Sequence, residues 1–168
     1  MNQVTTPTAG AGVLLTFGGQ ADGTISGSGP IDFYSITVNK GFYLVPAQNP
    51  VLNVTSVFTM NAPVAVANRL TLTSGTFKIS SASTITPYFG NQTICATGGR
   101  LWLNHASANV SCVGTGTTTG QGSPTAFGEF RIDDGIFAYG SGNNSFIFSN
   151  TFIGGVFYGG KFEMNGGT

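Results

Sequence analysis

The sequence predicts an all-β protein with little or no helix, folded as a right-handed parallel β-helix of about six coils. Three observations favour this class: a repeated ten-residue phrase with a central glycine, many short alternating apolar segments, and no capped segment with apolar residues at helical spacing. The copies of the phrase recur at 24, 36 and 32 residues, within the range typical of solenoid repeats. An antiparallel β-sandwich is the alternative, because it also contains many short strands.

The clearest copy of the phrase is Leu70–Ile79, and looser copies lie at 94–103, 130–139 and 162–168. The pattern is apolar, any, apolar, Thr/Asp/Asn, any, Gly, any, apolar, any, apolar. Because side chains alternate along a strand, the apolar positions on each side of the glycine point inward. The phrase therefore predicts a strand, a glycine corner and a second strand.

Stacking the copies about 4.8 Å apart would place equivalent positions over one another. The polar position before the corner is then expected to form a ladder, since short polar side chains bond neighbouring backbone groups. Its members would be Thr73, Thr97, Asp133 and Asn165.

Alternating segments predict the other strands in order along the chain. They lie at 13–17, around Ile25, and at 36–38, 42–45, 51–54, 57–60 and 64–66. Residues 1–12 are expected to be a linker or frayed end, and residues 13–168 a single β-helical domain. Residues 114–123 are mostly Gly, Thr and Ser and predict a loop on the side of the solenoid. The interrupted last copy suggests a fragment of a longer solenoid.

Composition limits the function classes. The chain has 168 residues, of which only 7% are charged, and six basic residues balance six acidic ones. This balance argues against binding to nucleic acid or to anionic lipid. No apolar run approaches the ~18 residues of a membrane helix, and the first residues do not form a signal peptide. The 14 Phe and 5 Tyr argue against disorder.

Few residues are of the types that form catalytic sites, metal sites or disulfides. Cys95 and Cys112 are either two buried thiols or a disulfide, and the sequence leaves both open. His105 is the single histidine, so no metal site is expected, and no nucleophile or acid is placed with it as a triad. The sequence predicts no catalytic residue, metal or cofactor.

One charged cluster is the best candidate for a site. It consists of Glu129, Arg131, Asp133, Lys161 and Glu163. In the alignment of copies Lys161 lies over Glu129 and Glu163 over Arg131, which predicts structural cross-strand pairs. The alternative is a cation or carbohydrate site, since a glycosidase needs two carboxyl groups roughly 5 to 9.5 Å apart. A polysaccharide lyase or glycosidase is thus the second function considered.

Aromatic residues crowd the C-terminal part of the chain between Phe127 and Phe162. We expect them to stack in the core, and an exposed aromatic platform for sugars is the alternative.

Residues 16–29 (TFGGQADGTISGSG), 33–39 (FYSITVN) and 69–77 (RLTLTSGTF) resemble the β-helical repeat regions of very large secreted bacterial surface proteins. Such proteins are adhesin-like or similar to autotransporter passengers. The resemblance implies a right-handed parallel β-helix on a cell surface, used as a stalk, an adhesive or a matrix component. It also implies an extracellular location. The expected partners are surface glycans or further copies stacked end to end, because the ends of a solenoid expose unpaired strand edges.

Overall fold

The computed structural model describes residues 14–41, 49–60, 70–85, 93–112, 125–126, 129–139, 147–148, 154–157 and 161–164. Within these ranges the chain forms 14 strands and no helix, and every strand pair is parallel. The expected parallel solenoid is therefore confirmed, and the antiparallel sandwich is excluded. Among the residues described, no helix has the length and apolarity that a membrane crossing requires.

The strands fall on three faces. The first face contains β1 (Leu14–Gly18), β4 (Ser35–Asn39), the start of β7 (Leu70–Ile79), the start of β9 (Thr93–Cys112), β10 (Thr125–Ala126) and β12 (Ile147–Phe148). The second contains β2 (Gly23–Ile25), β5 (Val51–Val54), the end of β7, the middle of β9, the start of β11 (Glu129–Tyr139) and β13 (Gly154–Phe157). The third contains β3 (Ile31–Asp32), β6 (Phe58–Thr59), β8 (Thr84–Ile85), the end of β9, the end of β11 and β14 (Lys161–Met164).

The structure supports about three turns, fewer than the six coils predicted. Three coils run over all three faces without a gap in the described residues, at 14–32, 70–85 and 93–112. The first face nevertheless has six parallel strands in one hydrogen-bonded order. The right hand of the helix stays an expectation, based on the preference of parallel crossovers for that hand.

The core is formed by the inward apolar positions of all three faces, as the alternation predicts. Leu70, Leu72, Phe77 and Ile79 of the clearest copy are each at most 1% exposed. The ring of Phe58 lies edge-on to two neighbours, 5.7 Å from Phe33 and 6.0 Å from Phe77 between centroids. Burial of such a side chain contributes about 1.5–3 kcal/mol to stability. The apolar stack is therefore the main source of cohesion between coils.

The C-terminal aromatic residues are described only in part. The side chain of Phe137 is 1% exposed, as expected for a core residue. The other aromatic side chains between Phe127 and Phe162, the loop at 114–123, the segments 42–45 and 64–66, and residues 1–12 lie outside the described side chains or residues.

The third copy of the phrase lies one face further on than the alignment predicts. Phe130 pairs with Leu101, and Phe137 pairs with Val110. The copy at 130–139 therefore covers the second and third faces, whereas Leu70–Ile79 covers the first and second. The physical reason is that each face has the same inward alternation, so that strand, glycine, strand describes either corner equally well.

The fourth copy is also displaced from its predicted position. Gly154–Phe157 pairs with the start of β11, and Lys161–Met164 pairs with its end, Phe162 opposite Phe137. The equivalent of the third copy is thus residues 155–164, with Gly159 and Gly160 at its centre in the sequence. Phe162 therefore occupies the second half of the phrase, and the alignment that placed it at the start of a copy was wrong.

The predicted polar ladder is wrong for the same reason. Thr73 and Thr97 precede the first corner, between the first and second faces. Asp133 precedes the second corner, where the next residue Asp134 pairs with Asn104. Asn165 lies outside the described residues. A different ladder exists at the second corner, where the Thr55 Oγ1 and Ser56 Oγ groups donate to the carbonyls of Ile25 and Gly27.

Two corner glycines meet the preceding coil closely. Gly75 has φ of 83°, and a Cβ there would lie 3.0 Å from the Pro50 carbonyl oxygen. Gly135 has φ of 99°, and a Cβ there would lie 2.6 Å from the Ala108 carbonyl oxygen. The left-handed conformation and the lack of space both require glycine at these positions.

Candidate functional site

The outward surface of the second face carries one column of polar and aromatic side chains. It consists of Asn53, Lys78, Trp102 and Arg131, which are consecutive partners in the parallel register of four strands. Each lies one position away from an inward core residue, so the alternation points it out of the solenoid. We call these four residues the Trp102 column.

Cations from both neighbouring coils lie against the indole of Trp102. The Lys78 Nζ is 3.8 Å from the ring centroid, and the Arg131 Cζ is 4.2 Å from it. The Arg100 Cζ, on the strand of Trp102 itself, is 5.8 Å away. All three distances fall within the ~6 Å range of favourable cation–π contact, each contributing about 0.5–1 kcal/mol when exposed.

The Asp133 carboxylate lies beside the column and bonds to two of its members. Its Oδ1 and Oδ2 accept hydrogen bonds from the Arg131 Nε and Nη2 at 2.7 and 2.9 Å. Its Oδ2 also accepts one from the Trp102 Nε1 at 3.0 Å. The side chains of Arg131 and Asp133 are 26% and 21% exposed, so their ion pair contributes at most about 1 kcal/mol.

The pKa of Asp133 lies below its ordinary value of 3.8. Burial acts first and raises the pKa, but the hydrogen bonds from Arg131 and Trp102 lower it, as do the charges of Arg131 and Lys78. The carboxylate is therefore ionised near neutral pH. A general acid for glycoside cleavage needs the opposite shift.

Buried polar groups flank the column. Thr76 is 1% exposed and Arg100 6% exposed, although both have the outward parity of the second face. The Asn53 Oδ1 and the Thr76 Oγ1 are shielded from water and have no hydrogen-bond partner among the described residues. Such unmet groups are uncommon in native proteins, but they are not confined to this surface, since the Ser80 Oγ and the Asn109 Oδ1 also lack a partner among the described residues.

The cluster predicted from the sequence is brought together only in part. Arg131 and Asp133 form a direct ion pair, and Glu129 pairs with Arg100 in the backbone register. Lys161 pairs with Ile136 and Glu163 with Ala138, both on the third face. The predicted pairs of Lys161 with Glu129 and of Glu163 with Arg131 are therefore wrong, because the copy that contains them is displaced by one face.

The column itself was missed by the sequence prediction. Lys78 and Trp102 occupy the same position of the phrase, so their contact could have been found from the aligned copies. Arg131 occupies a different position of the phrase and reaches Trp102 only because the third copy is displaced by one face. The orphan acceptors of Asn53 and Thr76 have no signal in the sequence.

The other described carboxylates have structural partners. The Asp22 Oδ1 accepts a hydrogen bond from the Val51 backbone N–H at 2.8 Å, and the Asp32 Oδ1 accepts one from the Thr59 Oγ1 at 2.7 Å. The Asp134 Oδ1 accepts one from the Gly135 backbone N–H at 2.9 Å. Two of these bonds join neighbouring coils and one stabilises a corner.

His105 has a backbone partner, and the two cysteines cannot be placed beyond their strand. The His105 Nδ1 accepts a hydrogen bond from the Ser107 backbone N–H at 3.1 Å, which stabilises the local backbone of β9. Cys95 and Cys112 both lie in β9, and their side chains fall outside the described part of the chain. Within the described ranges no group of His, Cys, Asp and Glu is arranged to hold a metal ion.

Comparison with protein-family models, with curated proteins and with solved structures finds no match for this chain. The solenoid that the sequence resemblance implies is present, while the identity of its parent protein has no support from relatives.

Proposed function

We propose that this chain is a structural and adhesive segment of an extracellular bacterial surface protein. The solenoid would act as part of a shaft, in which each coil contacts only its neighbours and length grows with the number of coils. Ladder hydrogen bonds run along the axis, and the apolar stack resists their separation.

The observation that carries this proposal is the use of charge. Three of the four carboxylates with described side chains, on Asp22, Asp32 and Asp133, accept a hydrogen bond from the adjacent coil. Each of these carboxylates stabilises the contact between two coils, and the lowered pKa of Asp133 is consistent with this role. An enzyme would be expected to hold such a group ready for a substrate.

End-to-end association of copies is the second part of the proposal. Within the described residues β1, β2 and β3 pair on one side only. An open edge of parallel strands is a template for the strands of another chain. A shaft could therefore grow by stacking as well as by the length of one chain.

Two measurements test the proposal. Incubation with neutral and acidic polysaccharides should release neither reducing ends nor unsaturated products, and cleavage that disappears in Asp133→Asn would show an enzyme instead. Size-exclusion chromatography with light scattering should show mass rising with protein concentration. A constant monomer mass over the whole range would contradict stacking.

A further inference from the structure

The first described coil, 14–32, leaves one end of the apolar core partly uncovered. Three of its apolar side chains pack against the core but stay partly exposed: Leu15, Phe17 and Ile31. Their register partners on the next coil are each 0% exposed: Ile36, Val38 and Phe58. Both coils have the same inward alternation, so the difference follows from the position of the first coil at the end of the stack. A further coil on that side would remove these side chains from water.

The strands of this coil also lack the usual protection of a sheet edge. Such edges are commonly blocked by charged residues or proline, but β1 (LLTFG) and β2 (GTI) contain neither. The two carboxylates of the coil, on Asp22 and Asp32, accept hydrogen bonds from the Val51 N–H and the Thr59 Oγ1 of the following coil. Within the described residues, the side facing away from that coil therefore has unpaired strands over an apolar surface.

The opposite end of the solenoid finishes on the same inward columns. On the first face the parallel register joins one column from Phe17 to Phe148. On the second face it joins one column from Ile25 to Phe157. On the third face Phe162 is in register with a buried phenylalanine. Each face thus has an apolar residue in an inward column at both described ends.

A second copy fits the open end without a change of register. If its β12, β13 and β14 lie about 4.8 Å from β1, β2 and β3 of the first copy, the strands stay parallel, as every pair within the chain is. One apolar column then continues on each face, with Phe148 over Phe17, Phe157 over Ile25 and Phe162 over Ile31. The preceding segment of the same chain matches the open end less well, because Val4 and Val13 are the only Val, Ile, Leu or Phe in residues 1–13.

We infer that a second copy of this chain binds the open end head to tail, with its last coil (β12, β13 and β14) against the first coil (β1, β2 and β3) of its neighbour. This inference rests on the stacking part of the proposed function and names the two surfaces that meet. A head-to-tail contact of this kind leaves one free end of each type, so that it generates an open filament.

One variant at each end tests the polarity of the contact. Phe17→Lys places a charge at the end of a column on the first coil, and Phe148→Lys places one in the same column on the last coil. Each variant alone should associate at least about tenfold more weakly than the parent in size-exclusion chromatography with light scattering, because the contact would bury an unpaired charge. An equimolar mixture should form a dimer and grow no further, since one intact end of each type remains.

Val57→Lys is the matched control. Val57 is an apolar residue that is 45% exposed and lies next to β6, away from both ends, so this variant should associate as the parent does. Near-ultraviolet circular dichroism should show that each variant is folded. Leu15→Lys and Phe157→Lys form a second pair of end variants for use if either member of the first pair does not fold.

The alignment of the two copies has a separate test. In this register Glu163 of one copy lies opposite Asp32 of the next, because these residues follow Phe162 and Ile31 in β14 and β3. Like charges directly opposite each other weaken a strand pair. Glu163→Gln should therefore strengthen association up to about fivefold in the same measurement, and an unchanged or lower association constant would overturn this register.

The outcomes separate this contact from stacking in general. Association of Phe148→Lys alone, with Phe17→Lys monomeric, would show that two first coils meet, and the reverse result would show that two last coils meet. Either result would overturn the head-to-tail contact and leave end-to-end association intact. Loss of association in Val57→Lys alone would place the contact on the side of the solenoid and overturn this inference. A parent chain that is monomeric at every concentration would contradict stacking itself.

Discussion

Two corners of the solenoid, those on either side of the second face, are closed by different chemistry. At the first corner, between the first and second faces, an amide and an ammonium group donate to carbonyls of other coils: Asn49 Nδ2 donates to the Gly98 carbonyl at 3.0 Å, and Lys40 Nζ to the Gly18 carbonyl at 3.4 Å. At the second corner short hydroxyl groups bridge adjacent coils, since the Ser83 Oγ accepts from the Phe58 backbone N–H at 3.0 Å.

The difference follows from the space at each corner. Gly75 leaves room at the first corner, where Lys40 and Pro50 lie directly against it. The Asn49 amide reaches over one intervening coil to the Gly98 carbonyl, whereas Lys40 bonds the Gly18 carbonyl of the preceding coil. The second corner has hydroxyl groups on successive coils, at Ser56 and Ser83. Both solutions satisfy backbone groups where the strand ladder is interrupted, as buried backbone requires.

Alanine at a corner glycine should have the largest effect. Gly135→Ala places a methyl group 2.6 Å from the Ala108 carbonyl oxygen in a left-handed conformation. We expect a loss of about 2–4 kcal/mol in the free energy of unfolding, measured by urea titration.

Gly19→Ala is the matched control for this change. Gly19 has φ of 87°, but a methyl group added there would have nothing within 4 Å among the described residues. Only the conformational cost of about 1–2 kcal/mol should remain. Equal losses for the two variants would show that close approach of the coils contributes nothing.

Removal of the corner hydrogen bonds should have a smaller effect on the free energy of unfolding. It should also show which of these two corners depends more on its side chains. Ser83→Ala removes the acceptor of a buried backbone N–H and should cost about 1–3 kcal/mol. Asn49→Ala removes a donor to a partly buried carbonyl and should cost about 0.5–1.5 kcal/mol. Urea titrations of both variants measure the order, and a larger loss for Asn49→Ala would reverse our view of which corner is more dependent on side chains.

The smallest effect should come from Asp133 and should depend on pH. Its folded pKa is lowered below 3.8, so its ionisation stabilises the folded protein above that pH, and the stabilisation is lost as the pH falls through the folded pKa. Asp133→Asn should therefore cost up to about 1 kcal/mol at pH 7. The difference from the parent should shrink towards pH 2 in urea titrations, and a pH-independent difference would show that the charge is irrelevant.

The fold was predictable because its signal is local. Alternation at Leu70–Ile79 and a central glycine specify strand, corner and strand without knowledge of any distant residue. The strands β1, β2, β4, β5 and β6 were expected near their observed positions for the same reason. Which face each copy occupies depends on the length of the intervening segments, and no local pattern encodes it.

The candidate site was predictable only in part, for a related reason. Arg131 and Asp133 are neighbours in sequence, and their pairing follows from two residues of the same strand parity. The contact of Arg131 with Trp102 depends on the displacement of one whole copy. The pairs predicted for Lys161 and Glu163 were wrong because the same displacement moved both to another face.

The phrase at 130–139 specifies that the chain turns a corner, but it does not specify which corner of the solenoid this is. A segment as long as one face can therefore be gained or lost between copies without any change in the inward side chains that follow. The outward columns would change completely in the same event, because every later side chain would meet new neighbours along the axis. A solenoid of this kind can renew its surface by insertion alone, while its core remains apolar.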